Sequence, residues 1–350
     1  MSGSGADTTF RITRIDALHI AVEGKSYWEG YLGNAAYQTE RYEFKPGWRT
    51  VYANIPETAV VRVELADGTV GWGEATEPIC PEAVCLLAEN LAAPITVGRP
   101  FAHPADLWDT LYDAQRGRGH LSGYYLLAIA AIDVAVWDAL GKREDLPIAA
   151  LLTDLPRTHI PVYLSGLRRE TVAERIALLT EWRESGLTGA KIFLDGDYTA
   201  GLREIEALQT GSPDLPNWMV DTLWMLPPEE AYLAKKAYGD LGVKWLECPL
   251  PPEDLEGHIS LTQQPGAQVA LGEHFFTRYQ STPWFTAKAL NIFQPDVCRT
   301  GFSDGIRQKK LAEAHGIVST PHMGAGLLAT HAVALHFAAA CPDTLLCEYQ

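Results

Sequence analysis

The chain is expected to fold as an α/β protein, a closed parallel barrel of (β/α)7β order (a modified TIM barrel) behind an N-terminal α+β capping domain. Three observations predict this. From residue 160 onward, eight short apolar runs alternate with seven amphipathic stretches. The first 75 residues instead alternate apolar and polar, as antiparallel strands do. The length of 350 residues also exceeds the roughly 250 that a barrel uses, leaving room for a smaller partner.

In chain order, strands are predicted over 13–22, 57–65 and 70–75, the last two joined by an Asp67-Gly68 turn that marks a hairpin. The segment 23–56 is rich in Tyr, Trp, Gly and Arg, has no clear period, and reads as a long functional loop. Helical spacing follows over 81–91, 104–113 and 126–140, the last stopped by Gly141. These elements make up the capping domain, 1–145.

The remainder, 146–350, is the barrel. Its strands are predicted over 160–164, 190–194, 218–221, 243–247, 269–273, 292–296, 317–322 and 345–349. Helices fill the gaps at 171–185, 199–210, 228–238, 254–264, 279–288, 305–315 and 327–340. Right-handed crossovers between buried strands favour closure. The competing doubly wound sheet lacks support, since no GxGxxG follows any strand.

Lys and Arg total 28 against 44 Asp and Glu, a net charge of −16. Phosphate polymers and anionic membranes need clustered cations, so no nucleic acid and no membrane is expected as partner. The apolar stretch 323–341 contains His331 and His336 and is expected to be a buried helix rather than a membrane span. The six cysteines form no CxxC pair, and the first residues lack the basic and apolar parts of a signal peptide. Reduced, mostly buried thiols in a cytoplasmic protein are expected.

Strands three, four and five end in carboxylates, Asp221, Glu247 and Glu273, spaced 26 residues apart in both intervals. Neighbouring strand ends bring such groups to the barrel mouth, where barrel enzymes place their sites. Three oxygen donors without a Cys or His cluster suit a hard cation, Mg²⁺ above others; three unrelated loop carboxylates is the alternative. The next two strands close in Asp296 and His322. A carboxylate there can orient the imidazole and raise its basicity, making His322 a candidate general base. Lys191 on the second strand can neutralise charge on a substrate carboxylate if it faces the mouth, and Glu348 on the last strand is either a mouth residue or a surface one.

These residues resemble the enolase superfamily, in its mandelate racemase-like branch. Gly71-Trp72-Gly73-Glu74-Ala75 is similar to that family's N-terminal hairpin, and Ala128-Ile129-Ala130-Ala131-Ile132-Asp133-Val134-Ala135-Val136-Trp137-Asp138 to the helix leading into its barrel. The resemblance implies that Asp221, Glu247 and Glu273 bind Mg²⁺, that Asp296 and His322 form the catalytic dyad, and that Lys191 and Glu348 stabilise the enediolate. Racemases of the family carry Lys-x-Lys on the second strand; this chain has Lys191-Ile192-Phe193. A phenyl ring takes no proton, so one-base chemistry is implied.

The reaction expected from that resemblance is abstraction of the proton α to the carboxylate of a sugar acid, followed by loss of the β-hydroxyl to give a 2-keto-3-deoxy acid, as in acid-sugar dehydratases similar to rhamnonate dehydratase. A cycloisomerase of a sugar-acid lactone or anhydro sugar acid is the alternative, and a non-catalytic sugar-acid-binding protein the alternative of another class. The resemblance also turns 23–56 into a lid. Its Tyr27, Trp28, Tyr31, Lys45, Trp48 and Arg49 offer amphipathic and cationic groups, of which Lys45 and Arg49, with His274, are the substrate-binding candidates. Strand alternation turns His274 away from Glu273. A homo-oligomer is expected. Family members usually continue past the eighth strand in a segment returning to the capping domain, which a chain ending at Gln350 is expected to lack.

Overall fold

The computed structural model describes residues 9–24, 37–46, 49–194, 197–324 and 326–350. Strand β1 (Phe10–Ala21) is followed by three short strands, β2 (Tyr37–Gln38), β3 (Tyr42–Lys45) and β4 (Thr50–Ala53), which form an antiparallel sheet of their own. This sheet lies in the segment expected to be loop. Its strands are two to four residues long, too short for an alternating pattern to stand out. Next come β5 (Glu57–Leu65) and β6 (Val70–Ala75), hairpin partners across the expected turn.

The predicted helix over 81–91 is α1 (Pro81–Leu87) running through a π-helical turn, Ala88–Ala92, into α2 (Ala93–Thr96). Pro94 has no N–H to donate to the carbonyl four residues back, and the widened turn falls at that point. Strand β7 (Pro100–Phe101), α3 (Pro104–Arg116), α4 (Tyr124–Glu144) and α5 (Ile148–Leu152) complete this part. The four-stranded sheet has the order β6-β5-β1-β7.

Helix α4 is apolar on all sides and buried along nearly its whole length. It is the one helix among the described residues long and apolar enough to cross a membrane, and here it is core. Its Ala-rich face lets β6 approach closely. A Cβ on Gly71 would stand 1.9 Å from the Ala135 carbonyl oxygen, and one on Gly73 2.0 Å from that of Ala131.

Eight parallel strands follow: β8 (Val162–Ser165), β9 (Gly189–Phe193), β10 (Asn217–Asp221), β11 (Trp245–Glu247), β12 (Gln268–Leu271), β13 (Ile292–Phe293), β14 (Val318–Ser319) and β15 (Cys347–Tyr349). They pair in the order β14-β13-β12-β11-β10-β9-β8-β15. At the sheet's ends, the Leu345 N–H donates to the Ser319 carbonyl at 3.3 Å. The crossovers are α6 (Val172–Glu184), α7 (Tyr198–Gly211), α8 (Pro228–Asp240), α9 (Leu255–Thr262), α10 (Arg278–Thr286), α11 (Val297–Ala314) and α12 (Thr330–Ala340). Inward-facing Tyr163, Met219, Trp245, Ala270, Ile292 and Leu346 fill the barrel. A larger apolar shell joins strands to helices.

Predicted and observed barrel strands agree in order and number, but several end earlier than expected. Glu273 lies two residues beyond β12, and Asp296 and His322 meet as an isolated bridge beyond β13 and β14. Helix α11 starts eight residues earlier than expected, as a short helical turn from Val297 that is separated from the expected helix by a non-helical break at Gly301, where φ is 70°. The two parts of the protein interlock there. A Cβ on Gly301 would stand 2.6 Å from Asp133 Oδ2. The Asp133 carboxylate accepts from the Ser303 N–H at 3.0 Å, and the Trp108 and Trp137 indoles donate to the Thr300 carbonyl and Ser303 Oγ. All six cysteines are free and four are buried, as expected.

Candidate active site

The C-terminal ends of the barrel strands collect the charged residues singled out above. Asp221 and Glu247 stand side by side in register on β10 and β11. The ammonium of Lys191, from β9, lies between carboxylates: 2.5 Å from Glu247 Oε1, 2.8 Å from Glu348 Oε1 and 3.6 Å from Asp221 Oδ2. All four side chains are buried. The ammonium also sits over the rings of Tyr163 and Phe193, 5.8 and 5.7 Å from their centroids. Phe193 packs on Gly166, whose φ of 69° and lack of a Cβ admit the ring.

Glu273 faces the other side of the mouth. Its Oε2 lies 3.1 Å from His322 Nε2, while Nδ1 of the same ring lies 3.0 Å from Asp296 Oδ2. Glu348 ties the two halves together: it contacts Lys191 and accepts from the Met323 N–H at 3.0 Å. The structure thus gathers Asp221, Glu247, Lys191 and Glu348 as one group and Glu273, His322 and Asp296 as a second beside it, so Glu273, expected from sequence to join Asp221 and Glu247, contacts His322 instead. Among the described residues, no three acidic, thiol or imidazole side chains are drawn together tightly enough to form a cation cage.

Electrostatics follow from burial and crowding. Burial raises the pKa of Asp221, and the negative charges of Glu247 and Glu273 raise it further, against the pull of Lys191. Burial works against the Lys191 ammonium, yet Glu247 and Glu348 hold its pKa well above the ordinary value. Burial opposes ionisation of Glu348 too, but Lys191 and His322 bring it down to about 2. For His322, burial lowers the pKa while Glu273, Glu348 and the bond to Asp296 lift it to about 10, which keeps the ring protonated; a cation held by Glu273 would remove the largest of these lifts and return the ring toward the neutral form that a base requires.

The substrate-binding candidates do not form one group. Lys45 is buried on β3 and pairs with Glu43 at 3.1 Å. Arg49 stands exposed at the turn into β4, with φ of 50°. Tyr27, Trp28, Tyr31 and Trp48 lie outside the described residues. His274 packs edge-on to Trp224, 4.7 Å between centroids, and neither of its buried ring nitrogens has a hydrogen-bond partner among the described residues. Burial, with the nearby Arg299 charge, lowers its pKa to about 3, so it is a neutral ring in an aromatic nest.

Three further residues belong here and were not singled out from sequence. Tyr52, on β4, has its phenol pKa raised by burial and then by the charges of Asp221 and Glu273, which puts this strand of the small N-terminal sheet near the acidic mouth. Trp245 Nε1 and Gln294 Nε2 donate to Glu247 Oε2 at 3.1 and 2.6 Å. Both of these had a signal: each precedes a candidate by two residues, the strand period that puts side chains on one face.

Two family models match the chain: the mandelate racemase / muconate lactonizing enzyme N-terminal domain over residues 47–153 and the enolase C-terminal domain-like model over 174–350. A D-galactarolactone cycloisomerase of Agrobacterium fabrum is 32% identical over 292 residues, 81% of this chain and 75% of that protein. A solved putative isomerase from Sinorhizobium meliloti is 30% identical with a TM-score of 0.89, covering 97% of this chain and 90% of its own. A solved enolase superfamily member from Agrobacterium tumefaciens is 27% identical with a TM-score of 0.91, covering 98% and 88%. By the match of both domains and the shared barrel, the chain is an enzyme of the enolase superfamily, with the N- and C-terminal domains of its mandelate racemase and muconate lactonizing branch.

Proposed function

We propose that the enzyme is a cycloisomerase of a sugar-acid lactone, with His322 as the base that removes the proton α to the substrate's free carboxylate. The observation that carries the proton abstraction is the Asp296–His322 pair: one ring nitrogen is held by the buried carboxylate, and the other lies beside Glu273. Lys191 and Glu348, paired under the mouth, supply charge and hydrogen-bonding capacity for the substrate oxygens that become negative as the proton leaves. Phe193, its ring 5.7 Å from Lys191 Nζ, stands two residues on from Lys191 where racemases of the family carry a second lysine, which supports one-base chemistry.

Asp221, Glu247 and Glu273 would hold Mg²⁺. They fit it by chemistry, since all three are oxygen donors at neighbouring strand ends, and in this structure their charge is met by Lys191 and His322 instead. When bound there, the cation supplies Lewis-acid charge beside the substrate carboxylate.

The same proton abstraction serves a dehydratase, the reaction expected first from sequence. The similarity to a protein named D-galactarolactone cycloisomerase favours the other outcome. The chemistry is consistent with that preference. Expelling hydroxide requires the His322 imidazolium to give up its proton to the leaving oxygen, whereas a lactone ring oxygen leaves as a carboxylate and needs no acid. The C–O bond breaks, the enol forms, and the proton on His322 remains available to convert the enol to the 2-keto-3-deoxy product.

The test is incubation of the Mg²⁺-loaded enzyme with D-galactarolactone and with open-chain aldaric and aldonic acids, followed by mass spectrometry and NMR. A product isomeric with the lactone is expected. A product lighter by one water from the open-chain acids alone would move the assignment to dehydration, and no turnover of any sugar acid or lactone would refute both.

A further inference from the structure

Glu247 is fully buried at the end of β11, and its two oxygens have different surroundings. Oε1 is paired at 2.5 Å with the Lys191 ammonium, a cationic partner that a divalent ion would replace, whereas Oε2 accepts from Trp245 Nε1 at 3.1 Å and from Gln294 Nε2 at 2.6 Å. Both donors are neutral and fixed by the fold. Trp245 is buried in the barrel's interior layer, its indole edge-on to Tyr163 at 5.6 Å. Gln294 is 1% exposed, and its backbone N–H donates to the Leu271 carbonyl at 3.0 Å.

The Gln294 amide is oriented at a cost. Its Oε1 is buried and has no hydrogen-bond partner among the described residues. Turning the amide over would place that oxygen against the Glu247 carboxylate, so the bond to Glu247 decides the orientation and leaves the oxygen unmatched. A buried amide with one end unsatisfied is more than packing requires.

We propose that Trp245 and Gln294 are positioning residues that occupy Glu247 Oε2, leaving Oε1 as the oxygen offered to a divalent cation, and so set both the affinity of the site and its preference for Mg²⁺ over Ca²⁺. The inference rests on the proposed reading of Glu247 as a cation ligand. The selectivity follows from ion chemistry. Mg²⁺ accepts few protein oxygens at short range, whereas Ca²⁺ takes more and readily accepts both oxygens of one carboxylate. Partners of ligands commonly change cation affinity 10–100-fold.

Isothermal titration of the whole enzyme with MgCl₂ and with CaCl₂ tests this on wild type, Gln294→Met, Trp245→Phe and Glu247→Gln, each checked for folding by circular dichroism. Gln294→Met keeps the length and shape of the side chain, and Trp245→Phe provides a second, independent removal of one bond. Each is expected to weaken Mg²⁺ about 10–100-fold while Ca²⁺ weakens less, so that the preference for Mg²⁺ narrows. Loss of folding would affect both ions alike and leave the ratio unchanged. The proposal is overturned if Glu247→Gln abolishes Mg²⁺ binding while either folded positioning variant keeps the wild-type affinity and Mg²⁺/Ca²⁺ ratio. If Glu247→Gln itself binds Mg²⁺ as wild type does, the ligand reading beneath the proposal fails instead.

Discussion

Replacing Glu74 by Gln tests how the capping domain holds the loop behind the candidate base. Glu74, on β6, is fully buried, and its carboxylate caps α12 across some 250 residues of sequence. Oε1 accepts from the Leu327 N–H at 2.6 Å, and Oε2 accepts from the N–H groups of Leu328, Ala329 and Thr330 at 2.9, 2.6 and 3.3 Å and from Thr330 Oγ1 at 3.2 Å. The helix has no cap of its own, since Ala329 stands at its N-cap position. The loop leads back to His322: a Cβ on Gly324 would stand 2.3 Å from Thr76 and 3.3 Å from Asp296 Oδ2. With Gln, the oxygen serves the Oε2 side and the amide group meets the Leu327 N–H, donor against donor. One charge-assisted bond worth ~1.5–3 kcal/mol is lost, and the remaining bonds weaken toward the ~0.5–1.5 of neutral ones. Allowing for non-additivity, the cost is about 3–5 kcal/mol, or a fall in Tm of roughly 6–15 °C at about 2–3 °C per kcal/mol. Thermal unfolding, with hydrogen exchange of amides 327–330, is the assay. A Tm within 2 °C of wild type, with those amides still protected, would show that the carboxylate is not the cap.

His322→Asn is expected to abolish exchange of the substrate's α-proton in D₂O, a loss of at least 10²-fold, while Mg²⁺ still binds by calorimetry; persistent exchange would assign the base elsewhere. Asp133 supplies a pH test. Burial first of all, opposed by its bonds to Ser303 and Phe302, raises its pKa to about 7. A folded pKa above the unfolded one contributes stability that is full below about 4 and is lost as the pH rises through 7, on the order of 4 kcal/mol in all. Urea unfolding of wild type should therefore show falling stability from pH 5 to 8, and Asp133→Asn should flatten that slope; parallel slopes would show that another group controls it.

The candidate site was legible where chemistry coincides with a strand end. Asp221, Glu247, Glu273, Asp296 and His322 could be found because a parallel strand carries its last side chains to one face, whatever surrounds it. The same logic reached Lys191 and Glu348 but not their pairing, because a 2.8 Å contact between β9 and β15 depends on how the sheet's order wraps its ends. Trp245 and Gln294 were hidden for a different reason. An indole or an amide two residues before a carboxylate is also what a packed barrel interior looks like, and only the observed bonds to Glu247 separate the two.

What escaped most completely was the capping domain's hold on the barrel. Glu74 looks like one acidic residue on a hairpin, and Asp133 like a flaw in an apolar helix. Each gains meaning from a partner about 170 to 255 residues away, a separation no local period can report. Both partners are backbone N–H groups at places where the local sequence makes poor structure, an Ala at a helix start and a glycine break inside α11. Local weakness in one half of the chain is matched by a buried carboxylate from the other half. If both carboxylates hold the barrel loops as their bonds indicate, the capping domain and the mouth of the barrel are coupled, and a variant at either residue should loosen the loop beyond His322 before it disturbs the barrel's interior layer.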